Sequence, residues 1–248
     1  MSRELEGRTG IITGASSGIG YAIANVLASS GARVYALSRT GAVKPGLEPS
    51  VKGVVHLKGD VTDSEEMDAL IRQIAGEGGL DFLINNAGIT KKCRAEDFPA
   101  EDFEKIMQVN VHSVFRLCQL CYPYLKQSPY KGRILNISSM AAHLGFSEVV
   151  PYAVSKAAVC GMTRGLAVEW ASDNLCVNSI APGWFPSEMS TQVMTPERKA
   201  AILARMPLHS FGDPRDLGEM AKFLLGDGAR YITGQDFAVD GGALAYGF

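Results

Sequence analysis

Seven short apolar runs, at 9–13, 33–37, 54–58, 81–85, 132–138, 175–181 and 236–239, punctuate the chain. Between most of them lie segments with helical periodicity, at 18–30, 64–76, 101–127 and 152–172. A run with no polar face makes a strand that must be covered on both sides. Such strands alternating with helices need crossover connections. Right-handed crossovers place the helices on both faces of a parallel sheet. The pattern therefore predicts an α/β fold: a doubly wound parallel sheet of about seven strands, in one domain over residues 1–248.

Two stretches break the alternation. Residues 40–53 hold three glycines and two prolines, which predicts a loop or one short turn. Residues 184–215 form a long excursion with a short helical run at 196–205, before the helical pattern 216–225. Long excursions in compact domains serve as lids or binding loops, so a substrate lid is expected near 184–210.

Sheets of this class bind ligands beyond the C-terminal ends of their strands. The first run leads into Gly14-Ala15-Ser16-Ser17-Gly18-Ile19-Gly20, then the helical pattern of Ile23, Val26 and Leu27. A glycine-rich turn lets backbone approach a phosphate, and the helix start offers free N–H groups and a positive dipole end. The spacing differs from the common Gly-x-Gly-x-x-Gly fingerprint, and a tight turn without a ligand is the alternative. Further on, Tyr152 and Lys156 stand four residues apart, on one helix face. An ammonium beside a phenol favours the phenolate and lowers the tyrosine pKa, which makes a poised proton donor. Taken alone, such a pair is more often solvated surface.

These motifs do not stand alone. Thr13-Gly14-x-x-x-Gly18-Ile19-Gly20, Asp60-Val61, Asn85-Asn86-Ala87-Gly88, Asn110, Ser139, Tyr152, Lys156, Pro182-Gly183, Gly234-Gln235 and Val239-Asp240-Gly241-Gly242 occur in one order along nearly the whole chain. In this the sequence closely resembles the short-chain dehydrogenase/reductase family. The resemblance implies a Rossmann-like fold and hydride transfer with a nicotinamide cofactor. It implies that Gly14, Ser16, Ser17, Gly18, Ile19 and Gly20 meet the cofactor, and that Asp60 and Val61 contact the adenine. Asn86, Ala87 and Gly88 border the adenine ribose. Pro182 and Gly183 line the nicotinamide pocket, and Ser187 bonds the carboxamide. For Asp60 the alternative is a helix cap, which Thr62 and Ser64 serve at least as well. Family members usually carry a helix where 40–53 lies.

The resemblance also assigns the chemistry. Tyr152 exchanges a proton with the substrate oxygen. Lys156 lowers the tyrosine pKa and holds the nicotinamide ribose. Ser139 bonds the substrate oxygen, and Asn110 orders a water beside the lysine. Ser139 has the family's spacing from Tyr152; Ser138, one strand residue away, points to the other face.

The second apolar run ends in Ser38-Arg39-Thr40 with no carboxylate. Ser38 can donate to a phosphate and Arg39 can clamp it, which favours NADP, with NAD the alternative. The expected substrate lining is Met140, His143, Phe146, Val149, Trp184 and Phe185, with Lys91 and His209 as further candidates. His143 is as readily a packed histidine as a substrate contact. The segments 166–171 and 182–189 look most like family members that act on sugars, sugar acids and polyols. The alternative is a 3-oxoacyl-(acyl-carrier-protein) reductase. That activity needs a basic face for an acidic carrier; Ala171-Ser172-Asp173-Asn174 speaks against it, while Lys126 and Lys131 remain as contacts. A nucleotide sensor or scaffold usually loses a catalytic residue, and here all four stand.

Net charge is −2 with no basic run, so no nucleic-acid partner is expected. The polar first residues and the lack of an 18-residue apolar stretch predict a cytoplasmic protein without a membrane partner. Five cysteines are too scattered for a disulfide framework. Cys118-x-x-Cys121 sits in an apolar helical pattern and reads as buried thiols, so no metal is expected. The helices 101–127 and 152–172 carry apolar residues on more than one face, including Cys118, Cys121, Tyr124, Val159, Met162 and Leu166. With the apolar C-terminus 243–248 they predict a homotetramer.

Overall fold

The computed structural model describes residues 4–186 and 195–246. Its centre is a seven-stranded sheet: β1 (Thr9–Thr13), β2 (Arg33–Ser38), β3 (Val54–Lys58), β4 (Phe82–Asn85), β5 (Gly132–Ile137), β6 (Leu175–Pro182) and β7 (Asp236–Val239). The spatial order is β3-β2-β1-β4-β5-β6-β7, and every pair is parallel. Strands β1, β4, β5 and β6 are buried at every position, as uninterrupted apolar runs require.

The strand period of two feeds two cores. Ile12 joins Ile23, Leu27, Leu217 and Leu224 under α1 (Gly18–Ser29) and α7 (Pro214–Leu225). Its neighbour Ile11 joins Met67, Ile71, Leu117 and Leu166 under α2 (Ser64–Gly78), α4 (Ser113–Leu125) and α5 (Val150–Glu169). Of the helices α3 (Ala100–Met107) and α6 (Pro196–Arg205), Lys105 and Arg198 line the large cleft. The connection 40–53 contains no helix.

The segment 101–127, expected as one helix, is three pieces. A π-turn at Gln108–His112 separates α3 from α4. One extra residue in the turn rotates α4 relative to α3 and aims Asn110 inward, where it is buried. Ser113 Oγ donates to Val109 O at 2.6 Å inside the same turn.

Two buried arginines, which the apolar pattern gave no reason to expect, close the N-terminal ends of the central strands β1 and β5. Arg8 Nη1 donates to Leu225 O at 2.5 Å, and Arg133 Nη2 to Gly226 O at 3.2 Å. Both cations therefore sit at the C-terminus of α7, where the helix dipole is negative.

Of the residues taken to make these helices apolar on more than one face, Cys118, Cys121, Val159 and Leu166 are buried in the chain's own core, and Tyr124 and Met162 pack half-buried against it. The large apolar side chains that α4 and α5 leave exposed are Phe115, Val150, Val154 and Val168. Tyr246 near the C-terminus is exposed.

Candidate active site

The strand order reverses between β1 and β4, and a cleft opens there beyond the C-terminal strand ends. Its volume is about 1390 Å³. Pockets for one drug-sized ligand measure roughly 300–1,000 Å³, so there is room for a long ligand and a second molecule.

At one end lies the glycine turn. Gly14 has φ +68°, and a Cβ there would stand 2.8 Å from Ala87 Cα. Only glycine allows β1 and the segment after β4 to approach so closely. Asn86 braces this contact. Its Nδ2 donates to Thr13 O at 2.8 Å and Gly14 O at 3.0 Å. Thr13 Oγ1 accepts from Asn86 N and Ala87 N in return. The start of α1 has no side-chain cap at Ser17 and no acidic residue in its first turn. Its first N–H groups and its dipole are thus left for an anion. Ser16, Ser17, Gly18, Ile19 and Gly20 line the cleft here, while Gly88 lines it nearer Lys156, where a Cβ would stand 3.6 Å from Nζ.

Beyond it stand Ser38, Arg39, Asp60 and Val61. Ser38 Oγ accepts from Gly41 N at 3.1 Å and shares a hydrogen bond with Thr40 Oγ1 at 3.3 Å, and Arg39 is exposed on the rim. Asp60 accepts from Thr62 N and Thr62 Oγ1 at 2.9 and 2.7 Å, and these bonds hold its carboxyl below the usual range. The cap of α2 is neither Asp60 nor Thr62 nor Ser64. It is Asp63, whose Oδ1 accepts from Glu65 N and Glu66 N.

At the other end Ser139, Tyr152 and Lys156 line the same wall. Ser139 follows β5, accepts from Ala141 N at 3.1 Å, and opens the 3-10 turn Met140–Ala142. Tyr152 and Lys156 sit on the first turns of α5. Lys156 Nζ donates to Ile137 O at 2.7 Å and lies 5.7 Å from the Tyr152 ring centroid. Asn110 is behind the wall rather than on it. Its Oδ1 accepts from Ile89 N, and its Nδ2 donates to Ile89 O and Ser155 Oγ. One amide thus joins the segment after β4 to α5.

The expected direction of the tyrosine pKa needs correcting. Burial pushes the Tyr152 phenol up, and the bond with Ser139 opposes this only in part. Burial also brings the Lys156 ammonium down to about 8. Removing both groups from water penalises both charged forms.

Of the expected substrate lining, Met140, Phe146, Val149, Trp184 and Phe185 face the cleft, as do Pro182 and Gly183. Phe146 and Trp184 meet edge to face at 6.3 Å. A Cβ on Gly183 would stand 2.5 Å from Asp240 Cα, so the strand must be bare there for β6 to pass β7. Three expected residues lie elsewhere. His143 Nε2 meets Asp236 Oδ2 at 2.6 Å, off the cleft wall. His209 Nδ1 bonds Leu203 O, and Lys91 is paired with Asp102. Ser187, and with it 187–194 of the expected lid, falls outside the described residues.

Sequence reasoning passed over Lys92, Lys105, Glu148 and Arg198, all on the wall of the cleft. Lys92 Nζ lies 3.9 Å from Glu148 Oε2. The Lys91-Lys92 pair carried a signal, but nothing in the order of two lysines says which one faces inward. Glu148 has φ +68°, a region that costs a non-glycine residue energy and that recurs at functional sites. The thiols of Cys118 and Cys121 are inert: both are buried, and that of Cys118 is pushed up to about 12.

Compared with known proteins, residues 14–243 match the family model described as enoyl-(acyl carrier protein) reductase. The chain is 38% identical over 243 residues to the 3-oxoacyl-(acyl-carrier-protein) reductase FabG of Vibrio cholerae, covering 96% of this chain and 98% of that one. It is 35% identical over 250 residues to the 2-dehydro-3-deoxy-D-gluconate 5-dehydrogenase of Bacillus subtilis, covering 97% and 96%. It matches the crystal structure of a gluconate 5-dehydrogenase from Burkholderia cenocepacia in complex with NADP and tartrate, with a TM-score of 0.89 and 28% identity over 99% and 98% of the two chains.

Proposed function

The chain belongs to the short-chain dehydrogenase/reductase family, and from that membership we propose an NADP(H)-dependent oxidoreductase that interconverts a ketone and a secondary alcohol on a sugar, sugar acid or polyol. One observation carries the reaction: an uncapped helix start and the Ser139–Tyr152–Lys156 group occupy the two ends of one cleft.

The residues fit a dinucleotide. The bare first turn of α1 suits a pyrophosphate, and Ser38 with Arg39 suits a 2′-phosphate. When bound, the nicotinamide supplies or accepts the hydride. The protein then orients the substrate oxygen. Ser139 Oγ donates to it, and Tyr152 Oη gives it a proton during reduction or takes one during oxidation. Lys156 holds positive charge beside the phenol as that proton moves. Asn110 keeps α5 and the segment at Ile89 in register, so that Lys156 stays under Tyr152.

The substrate end favours an acid. Among the described residues Lys92, Lys105 and Arg198 line it, with Glu148 beside Lys92. The Bacillus subtilis and Burkholderia cenocepacia relatives are named for sugar acids, and the latter holds tartrate, a hydroxy acid. The second reading, an acyl-carrier-protein reductase, draws on the Vibrio cholerae relative. Lys126 and Lys131, the basic contacts expected for it, lie at the end of α4 and just before β5, at the N-terminal ends of the strands and so opposite the cleft. Lys131 Nζ is also engaged with Arg230 O.

Initial rates with NADPH and NADH, on a keto sugar acid, its neutral ketose counterpart and a 3-oxoacyl thioester, separate these readings. The keto acid with NADPH is expected to give the highest kcat/KM. A higher value with NADH would overturn the cofactor reading, and preference for the thioester would establish the second activity. Absence of turnover with a bound cofactor would point to a sensing role.

The proposed assembly is a homotetramer. Its support is the apolar surface of α4 and α5, where Phe115 and Val168 are 43% and 82% exposed. Patches of this kind on helices usually find a second copy. Light scattering at micromolar concentration is expected to give four times the 26.5 kDa chain mass. A monomer would refute it.

A further inference from the structure

The segment that carries Ser139 is fastened at both ends to one carboxylate. At its start Ser138 Oγ donates to Asp236 Oδ1 at 2.7 Å. At its end His143 Nε2 meets Asp236 Oδ2 at 2.6 Å. Between these points lie Ser139 and the 3-10 turn it caps, where no strand partner steadies the backbone. The same carboxylate receives Cys160 Sγ at 3.4 Å, and Cys160 stands one helical turn beyond Lys156 on α5. Asp236 thus holds the loop of Ser139 and the helix of Tyr152 and Lys156 together. It opens β7 and pairs with Ser179 of β6, outside the cleft wall.

We propose that Asp236, through His143 and Ser138, is a positioning residue that sets the separation between the Ser139 and Tyr152 hydroxyls. Both hydroxyls must reach one substrate oxygen, and their elements share no strand ladder. A tie between them has to come from side chains. Asp236 is suited to it: the side chain is only 12% exposed, and hydrogen bonds are stronger where water is excluded. Burial alone would raise its carboxyl, but the surrounding donors outweigh burial and keep it below the usual range, so it accepts from all sides as a carboxylate.

A metal site is the competing assignment. The ligating atoms of His143, Cys160 and Asp236 lie within 4.8 Å of one another. The histidine–carboxylate separation of 2.6 Å is that of a hydrogen bond. Two ligands on a tetrahedral zinc, each about 2.0–2.3 Å from the ion, would stand farther apart. The Cys160 thiol, pushed up to about 11 by burial first and then by Asp236, is in its donor form.

The proposal rests on the roles given above to Ser139 and Tyr152, and the test keeps the two apart. The variants are Asp236→Asn, His143→Phe and His143→Gln, with Tyr152→Phe as reference. Glutamine keeps a donor near the Nε2 position; phenylalanine keeps the ring and loses the donor. Displacing a reacting group by about 1 Å can cost about 10²-fold, so Asp236→Asn and His143→Phe are expected to lower kcat by roughly tenfold or more. NADPH affinity, read by fluorescence titration, should stay at the wild-type value, and His143→Gln should recover most of the loss. Equal rates for His143→Phe and His143→Gln, or a full kcat in Asp236→Asn, would overturn the proposal. If Asp236→Asn fails to fold, the histidine pair decides. Stoichiometric zinc in the purified enzyme, lost in Cys160→Ser, would replace the tie with a metal site. Activity persisting in Tyr152→Phe would sink the underlying mechanism instead.

Discussion

Replacing Tyr152 with phenylalanine lowers kcat by roughly 10²–10⁴-fold, the usual contribution of a positioned proton donor. Only the hydroxyl is lost. The ring keeps its packing beside Lys156, whose Nζ lies 5.7 Å from the centroid. The proposed pyrophosphate site is at Gly14 and the uncapped start of α1, on elements other than the α5 that carries Tyr152. Cofactor affinity should therefore hold while turnover falls. Rates of the purified variant and a titration with NADPH check both halves; near-normal turnover would remove Tyr152 from the mechanism.

Replacing Lys156 with methionine should end useful turnover and yet stabilise the fold at neutral pH. The ammonium is buried, and its pKa is brought from 10.5 down to about 8. A group that binds its proton less tightly when folded than when unfolded weakens the fold wherever the unfolded chain is protonated. That penalty is present in full below pH 8 and disappears as pH rises from 8 to 10.5. At about 1.4 kcal/mol per pKa unit it amounts to roughly 3 kcal/mol. The lost bond to Ile137 O returns about 1 kcal/mol of this. Lys156→Met should thus unfold at a higher temperature than wild type at pH 7, with the gap narrowing towards pH 10. A lower melting temperature at pH 7 would show that the lysine's bonds outweigh its desolvation. Stability and catalysis conflict at this residue, as expected where function requires a buried charge.

Burial accounts for the Tyr152 phenol being pushed opposite to the expected direction. Spacing shows that Tyr152 and Lys156 share a helix face. It cannot show that both leave water, which reverses the sign of the tyrosine shift. The same limit applies to Lys91 and Lys92. They are adjacent and chemically identical, and only the approach of α3, bringing Asp102 to Lys91, turns Lys92 to the cleft. In the sequence His143 reads equally as a substrate contact or a packed histidine. Its partner lies 93 residues away on β7, beyond the reach of any local pattern.

What the sequence determined by itself is what short-range physics controls. Apolar runs without a polar face can only be interior strands, so the sheet, its parallel sense and its two cores follow from residue order. The glycine turn and the uncapped helix start are likewise local, because φ at Gly14 and the missing cap at Ser17 depend on a few neighbouring residues. The tertiary structure alone decided which polar groups meet across the sheet: Arg8 and Arg133 at the end of α7, Asn110 between Ile89 and Ser155, and Asp236 between the loop of Ser139 and the helix of Tyr152. Each of these is a hydrogen bond between residues tens to hundreds of positions apart. Such bonds form only after hydrophobic burial has brought the elements together, and once water is excluded an unpaired partner would cost about 1–3 kcal/mol. Packing places the groups, desolvation compels them to pair, and neither is written in the spacing of the chain.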